Sequence, residues 1–378
     1  MSPDTTMTVD FLIVGAGIAG ASLGYQLAPH GSVALLEMEA QPGYHTTGRS
    51  AAFYAETYGG PAIQPLTSAS KAFLYAPPEG FSDVPLIHQR GALHIFAEDQ
   101  RHLVTDLYDE LRTDLASVTL LDKEDLKLRL PMLRPDWCAG AIADPDCGDM
   151  DVAAIHQGYL RGIKRLKGEI INNAHLISAK QQGSSWIVKT DALTINAGTV
   201  INCAGAWADD VAEKADLAGF DMRPLRRTIA QAAPFDHHDP MGPVIIDIEE
   251  RFYFKPDANG WLVCPGDETY SPPCDAQPEA EDIAWAAHWF EAVLKTTAPK
   301  ISNKWAGLRT FATDRKPVIG FDPRCENFFW SAGQGGYGIQ TADGWSRLAA
   351  STLLGNDMPS DLRALKAAPN QYSPARFL

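Results

Sequence analysis

Residues 9–37 constrain the fold more than any other stretch. Val9 to Val14 is a short apolar run, and Gly15-Ala16-Gly17-Ile18-Ala19-Gly20 follows it. Ala21 to Ala28 reads as a helix of small residues stopped at Pro29-His30-Gly31, and Ser32 to Leu36 is a second apolar strand ending at Glu37. Strand, glycine turn, helix and strand in that order predict a parallel βαβ unit, whose strands are buried on both faces and so lack polar alternation. Each glycine has its own reason: Gly15 permits the tight turn, Gly17 lets the backbone approach a pyrophosphate, and Gly20 lets helix and strand pack. Ile18 and Ala19 begin the helix, where N–H groups and a partial positive charge face the phosphates. Glu37, 17 residues beyond Gly20, is placed to accept hydrogen bonds from ribose hydroxyls. Phe11 to Ala28 carries no charge over 18 residues, near the length of a membrane span, but its glycines and flanking strands fit a nucleotide turn better.

The formal charge of −15 argues against nucleic acid or an anionic bilayer as partner. Six cysteines include no C-x-x-C pair and none near a His at zinc spacing, so no metal site is expected. Met1 to Asp10 lacks a basic leader, which together with the cysteine pattern predicts a cytoplasmic chain with free thiols and no transmembrane segment.

With 378 residues the chain can build two lobes. Arg223 to Phe235, Val244 to Ile248, Arg251 to Lys255 and Trp261 to Cys264 are short strand-like runs separated by turn formers, which predicts an antiparallel sheet. Glu279 to Lys295 has helical spacing. Phe328 to Ala332 is a strand, Gly333 to Gly338 a glycine turn, and Ile339 to Leu354 a helix. The predicted fold is mixed α/β: a Rossmann-like nucleotide domain (1–85, 140–218 and 306–378) interleaved with an antiparallel-sheet substrate domain (86–139 and 219–305).

Three further segments point to FAD rather than NAD. Thr47-Gly48-Arg49-Ser50 lies within a hydroxyl-rich stretch beginning at Gly43, where an NAD enzyme usually has an ordinary helix. Val200 to Trp207 is a strand ending in Ala204-Gly205, with Trp207 just beyond. Gly335-Gly336-Tyr337-Gly338-Ile339-Gln340 is a glycine turn at a helix start, suited to placing N–H donors where a reduced flavin gathers negative charge.

At these residues the chain resembles the D-amino acid oxidase-like FAD oxidoreductases, and within them the bacterial D-arginine dehydrogenases. The shared stretches are Gln41 to His45, Thr47 to Ala52, His156 to Gly162, Lys255 to Ala258, Trp305 to Arg309 and Gln334 to Gln340. The resemblance implies that Arg309 pairs with a substrate carboxylate, that Tyr253 donates to it, that Arg226 and Tyr58 line the pocket, and that Gly336 offers its carbonyl to the amine. A guanidinium fork matches a carboxylate in shape, and anchoring it decides which hydrogen faces the flavin. The sarcosine-oxidase branch tethers its flavin to a Cys where Gly307 stands here, so the resemblance implies non-covalent FAD.

Two departures bear on the substrate. Ala92, in Gln89-Arg90-Gly91-Ala92-Leu93, stands where the D-arginine branch has an acid for the substrate's cationic side chain, and Phe53 and Ala55 replace a His and a Thr. Losing that partner costs a cationic side chain about 2–5 kcal/mol, so small or apolar D-amino acids are expected; Glu98 or Asp99 is the acid that could substitute. Glycine or sarcosine-type amines remain open, as does a 2-hydroxy acid, which needs a base for its hydroxyl, with His45, His88, His94 and His156 as candidates. A quinone acceptor would place the protein at the surface of the inner membrane. Gly59-Gly60-Pro61 marks residues 50–60 as a candidate closing loop.

Overall fold

The computed structural model describes residues 6–296 and 300–378; the leader reading at Met1 to Asp10 lies partly outside them. Thr6–Val14 is the central strand of the first sheet, with Val33–Leu36 parallel on one side and Thr194–Asn202 parallel on the other. Phe328–Ala332 joins Thr194–Asn202, again in parallel. These pairings are the ones expected from the apolar runs near residues 9, 33, 200 and 328. Helix Ile18–Leu27 carries small residues because it packs closely under the sheet: a Cβ on Gly24 would lie 3.0 Å from both Leu35 and Ile163. Apolar side chains fill both faces of the sheet. No described helix is long and apolar enough to cross a membrane.

A second, nine-stranded sheet is built from residues 92–144 and 223–311. The strands expected between 223 and 264 are all present in it. It is mixed rather than antiparallel, because Val244–Asp247 runs parallel to Ala92–Phe96. The predicted boundaries at 140 and 306 fall inside this sheet. Gly140–Asp144 pairs with Ala92–Phe96, and the whole of Ile301–Phe311 pairs with Arg223–Ala232, so both belong to the second lobe's ladder. The reason is continuity of hydrogen bonding: the strand that carries Arg309 begins at Ile301 and is laddered to Arg223–Ala232 along its length. Helix Ala280–Val293 covers one face of this sheet through Ala286, Phe290 and Val293. A three-stranded patch of Phe53–Tyr54, Gly148–Met150 and Ile87–Gln89 lies between the lobes.

All six cysteines are free.

Candidate active site and cofactor groove

The carboxyl ends of the first sheet's strands converge on the glycine turn, the place where open α/β sheets bind ligands. Val14 and Asn202 sit side by side, Cys203 N–H donates to the Val14 carbonyl (2.9 Å), and Gly15 N–H to that of Leu36 (2.8 Å). Gly15 has a φ of +101°, and a Cβ there would lie 2.5 Å from the Cys203 carbonyl oxygen. A Cβ on Gly20 would lie 1.9 Å from the Gly15 carbonyl oxygen, so a side chain is excluded by backbone. Two side chains brace the turn. Glu37 accepts from Ala16 N–H (3.2 Å) and Glu39 N–H (3.0 Å), and Thr47 Oγ1 accepts from Ile18 N–H (3.0 Å). Burial raises the Glu37 carboxyl above its ordinary value against the lowering effect of those N–H bonds. Each of its oxygens keeps acceptor capacity for a ribose hydroxyl.

From this turn a groove runs through three contiguous cavities. The first, about 860 Å³, is walled by Gly15, Gly17, Glu37, Thr47, Ala204, Gly205 and Trp207. It ends in an apolar slot of Met38, Ala174 and Leu176, suited to a purine ring. The second, about 890 Å³, is walled by Gly17, Ile18, Ala19, Thr47, Arg49, Ser50, Gly205, Gly307, Gly335, Gly336, Gly338 and Ile339. Cys203 is the one thiol on these two walls among the described residues, and burial pushes it up to about 12, so it is a poor nucleophile. A long groove with a phosphate turn in its first half and a flat, glycine-lined second half fits FAD.

The third cavity, a small one, opens from the second at Tyr253, Arg309 and Gly336 and is lined further by Phe53, Tyr58, Met150, Ile339 and Gln340. Arg309 Nη1 donates to the Tyr58 hydroxyl (2.9 Å). No carboxylate of a described residue lies within 4.0 Å of the Arg309 guanidinium, which faces both cavities. Burial raises the phenols of Tyr58 and Tyr253, so both stay protonated and able to donate. Glycine at 336 leaves room for the arginine: a Cβ there would lie 2.8 Å from Arg309 Cζ, so the guanidinium would have to shift. The glycine turn is stitched to the arginine's own strand by Gly335 N–H donating to the Thr310 carbonyl (2.9 Å), and a Cβ on Gly335 would lie 2.3 Å from Phe311.

Several expected site residues brace the groove through contacts of their own. Gly48 closes a turn onto the Gly43 carbonyl (2.8 Å). The Arg49 guanidinium donates to the carbonyls of Ala276 and Ala306 (both 3.0 Å) and pairs with Asp275, so it ties the second lobe across the groove. Tyr337 packs its ring on Tyr58 (4.9 Å between centroids). Gln340 accepts from Ala55 N–H (3.2 Å) and donates to the Tyr58 carbonyl (3.3 Å), holding the segment that carries Tyr58. The expected helix at Ile339 begins at Ala342, because residues 338–341 form a turn that brings Gly338 and Ile339 to the groove.

Arg226 is not on the cavity wall. It faces helix Ala280–Val293 and pairs with Glu279 and Asp282, the latter at 3.0 Å. Arg227 takes its place. The register explains the exchange: Arg309 lies opposite Leu225 and Gly307 opposite Arg227, so Arg227 and Arg309 are diagonal neighbours on one face and Arg226 points to the other. The resemblance named Arg226, and the cross-strand register puts its neighbour Arg227 on the wall instead. The compensating acids are also elsewhere: Glu98 forms an exposed pair with Arg101, and neither Glu98 nor Asp99 lines a groove cavity. Of the candidate bases, none lines the two cavities that Arg309 faces. His45 pairs with Glu39 beside Trp207, His156 Nε2–H donates to the Ala16 carbonyl (2.8 Å), His94 meets Thr57, and His88 is exposed.

The comparisons with known proteins agree with this architecture. Residues 10–352 match the DAO family model, described as FAD dependent oxidoreductase. The chain is 24% identical to glycine oxidase of Bacillus licheniformis, over 95% of this chain and 96% of that protein. It is 23% identical to mitochondrial dimethylglycine dehydrogenase of Rattus norvegicus, but spans only 45% of that protein's length. Among solved structures, glycine oxidase from Geobacillus kaustophilus superposes with a TM-score of 0.83 at 19% identity, covering 95% of this chain and 98% of that one. L-Proline dehydrogenase from P. horikoshii superposes with a TM-score of 0.82 at 19% identity, covering 99% and 98%. With a family match across most of its length and a groove shaped for the cofactor, the chain belongs to the DAO family of FAD-dependent oxidoreductases.

Proposed function

We propose that this protein oxidises the α-carbon of small or apolar D-amino acids, giving the imino acid, which water converts to a 2-oxo acid and ammonia. The observation that carries the reading is the set of uncommitted donors at one cavity: the Arg309 guanidinium, without a carboxylate partner among the described residues, and the hydroxyls of Tyr58 and Tyr253. A buried guanidinium without an anion is costly, and a substrate carboxylate supplies one. Tyr58 accepts from Arg309, so its own proton is free to donate to the same carboxylate.

FAD, when bound, supplies the hydride acceptor. The protein's part is to bind and orient. In this reading Arg309, with Arg227 diagonal to it, fixes the carboxylate, the Gly336 carbonyl takes a hydrogen bond from the amine, and the side chain is left to the apolar wall of Phe53, Met150 and Ile339. That wall, and Ala92 buried behind it among Ala55, Ile229 and Tyr253, favours small apolar side chains over cationic ones. The D configuration is supported by the motifs shared with the D-arginine dehydrogenase branch. Glycine and N-methylated glycine, which bring a carboxylate with the least side-chain bulk, form the second reading. A 2-hydroxy acid lacks the histidine base it requires, since no described histidine lines the cavities at Arg309.

Anaerobic flavin bleaching tests the assignment. Small apolar D-amino acids should bleach the purified holoprotein quickly and D-arginine slowly. Faster bleaching by glycine or sarcosine moves the assignment to the second reading, and bleaching by hydroxy acids alone overturns both.

A further inference from the structure

Outside the cavities, one buried polar cluster joins the two lobes. Thr57 Oγ1 lies 2.9 Å from Asp144 Oδ2 and 3.1 Å from His94 Nε2. Its single proton goes to the carboxylate, so the hydroxyl oxygen accepts from the His94 Nε2–H. Asp144 and His94 belong to adjacent strands of the second sheet, 3% and 7% exposed. Asp144 lies directly opposite Ala92, and His94 follows two residues on, so all three share a face. Thr57 comes from the other side, in the four-residue segment between Tyr54 and Gly59 that ends in Tyr58.

Every residue of that segment is held. Ala55 N–H and the Tyr58 carbonyl are bound by Gln340, and the Glu56 carboxylate by Ser68 and by Lys71 (2.8 Å). Thr57 alone ties it to the second lobe's sheet through side-chain hydrogen bonds other than that of Tyr58 itself. Burying an acid and an imidazole is unfavourable, and these two touch neither groove wall.

Resting on the carboxylate-anchor reading above, we propose that Thr57, His94 and Asp144 are positioning residues for substrate binding: by fixing Thr57 they set the Tyr58 hydroxyl against Arg309 and so complete the carboxylate site. The network does not touch substrate. It acts through its neighbour in sequence, and its loss weakens the ground state and the transition state alike, which raises KM and leaves kcat in place.

The test is butanoate binding to the holoprotein, followed by perturbation of the flavin spectrum, together with KM and kcat for the best amino acid. Thr57→Val, which keeps the shape and removes the hydroxyl, should weaken butanoate and raise KM by about tenfold, the loss of roughly one hydrogen bond to a charged group. Thr57→Ser should restore both to within about twofold. Thr57→Ala serves if the valine variant does not fold, with the same expectation. Unchanged butanoate affinity in Thr57→Val or Thr57→Ala, while Arg309→Ala abolishes it, overturns the positioning role and leaves the anchor standing. Unchanged affinity in Arg309→Ala overturns the anchor itself. A fall in kcat without a rise in KM also overturns the proposal.

Discussion

The two ends of the groove are built on opposite plans. At the nucleotide end the protein satisfies its own turn: Ala16, Ile18 and Glu39 N–H groups are already bound by Glu37 and Thr47, and three glycines shape the backbone. At the substrate end, Arg309, Tyr58 and Tyr253 keep donors that no described acceptor takes up. One end is organised around a turn whose glycines and bracing side chains lie within a short stretch of chain. The other is a charge-bearing cavity assembled from strands far apart in sequence, and it is completed by its ligand. Cofactor binding should therefore tolerate loss of single polar contacts better than substrate binding does.

The largest expected effect is at Arg309. Arg309→Ala should lower kcat/KM by an amount equivalent to about 2–5 kcal/mol, the cost of removing one partner of a desolvated charge pair. Steady-state kinetics with an artificial acceptor measures it, and flavin content should stay unchanged. An equal loss of flavin would erase the contrast between the two ends.

Next comes acid. Burial holds His94 down at about 4, so it stays neutral in the folded protein where an unfolded histidine, near 6.5, takes up a proton. The unfolded state then binds more protons, and stability falls as pH drops from about 6.5 towards 4, by about 3 kcal/mol from this residue. Asp144, raised by burial, acts in the opposite sense at lower pH. Melting temperature against pH, compared between the native chain and His94→Asn, isolates the contribution. A drop of the same size in the variant would assign the loss to other groups.

Arg226 and Arg227 give a smaller and sharper test. Arg226→Gln should cost about 1–3 kcal/mol of stability by leaving Asp282 without its partner, with KM unchanged; Arg227→Gln should raise KM. The reverse pattern in denaturation and kinetics would mean that the strand register differs from the one described. Gly336→Ala should raise KM by about tenfold as the added methyl pushes the guanidinium aside, worth about 1.4 kcal/mol. Normal kinetics there would show that Arg309 can relocate without penalty.

The difference between the ends also explains how far the sequence could be read. The nucleotide turn is a local object. Its glycines, its helix and Glu37 lie within 23 residues, and each has a steric or electrostatic reason visible in the chain. The strands nearest the turn and those between 223 and 264 were legible for the same reason, as apolar runs between turn formers, whereas the strands between 92 and 144 and between 169 and 190 were not. Sheet membership was not: hydrogen-bonded pairing, not composition, draws Gly140–Asp144 and Ile301–Phe311 into the second sheet. The substrate end suffered likewise. Arg309, Tyr253, Tyr58 and Gly336 came from a family resemblance, and the structure brings them to one cavity. Choosing Arg227 over Arg226 requires knowing that Gly307 faces residue 227, a fact of cross-strand register. The purine slot at Ala174 and Leu176 gave no signal, since two apolar residues after a strand are ordinary core.

The Arg49 tie has a consequence for the handling of the cofactor. Its guanidinium clasps two carbonyls and an exposed carboxylate of the second lobe, while its own carbonyl accepts from Trp305 Nε1 (2.9 Å). Arg49 lines the second cavity of the groove, so a cofactor held there would have the clasp along its wall. Its release would then follow a local opening equilibrium as well as the strength of the phosphate contacts. Because Asp275 is half exposed, salt screens the clasp, and flavin should exchange faster as ionic strength rises.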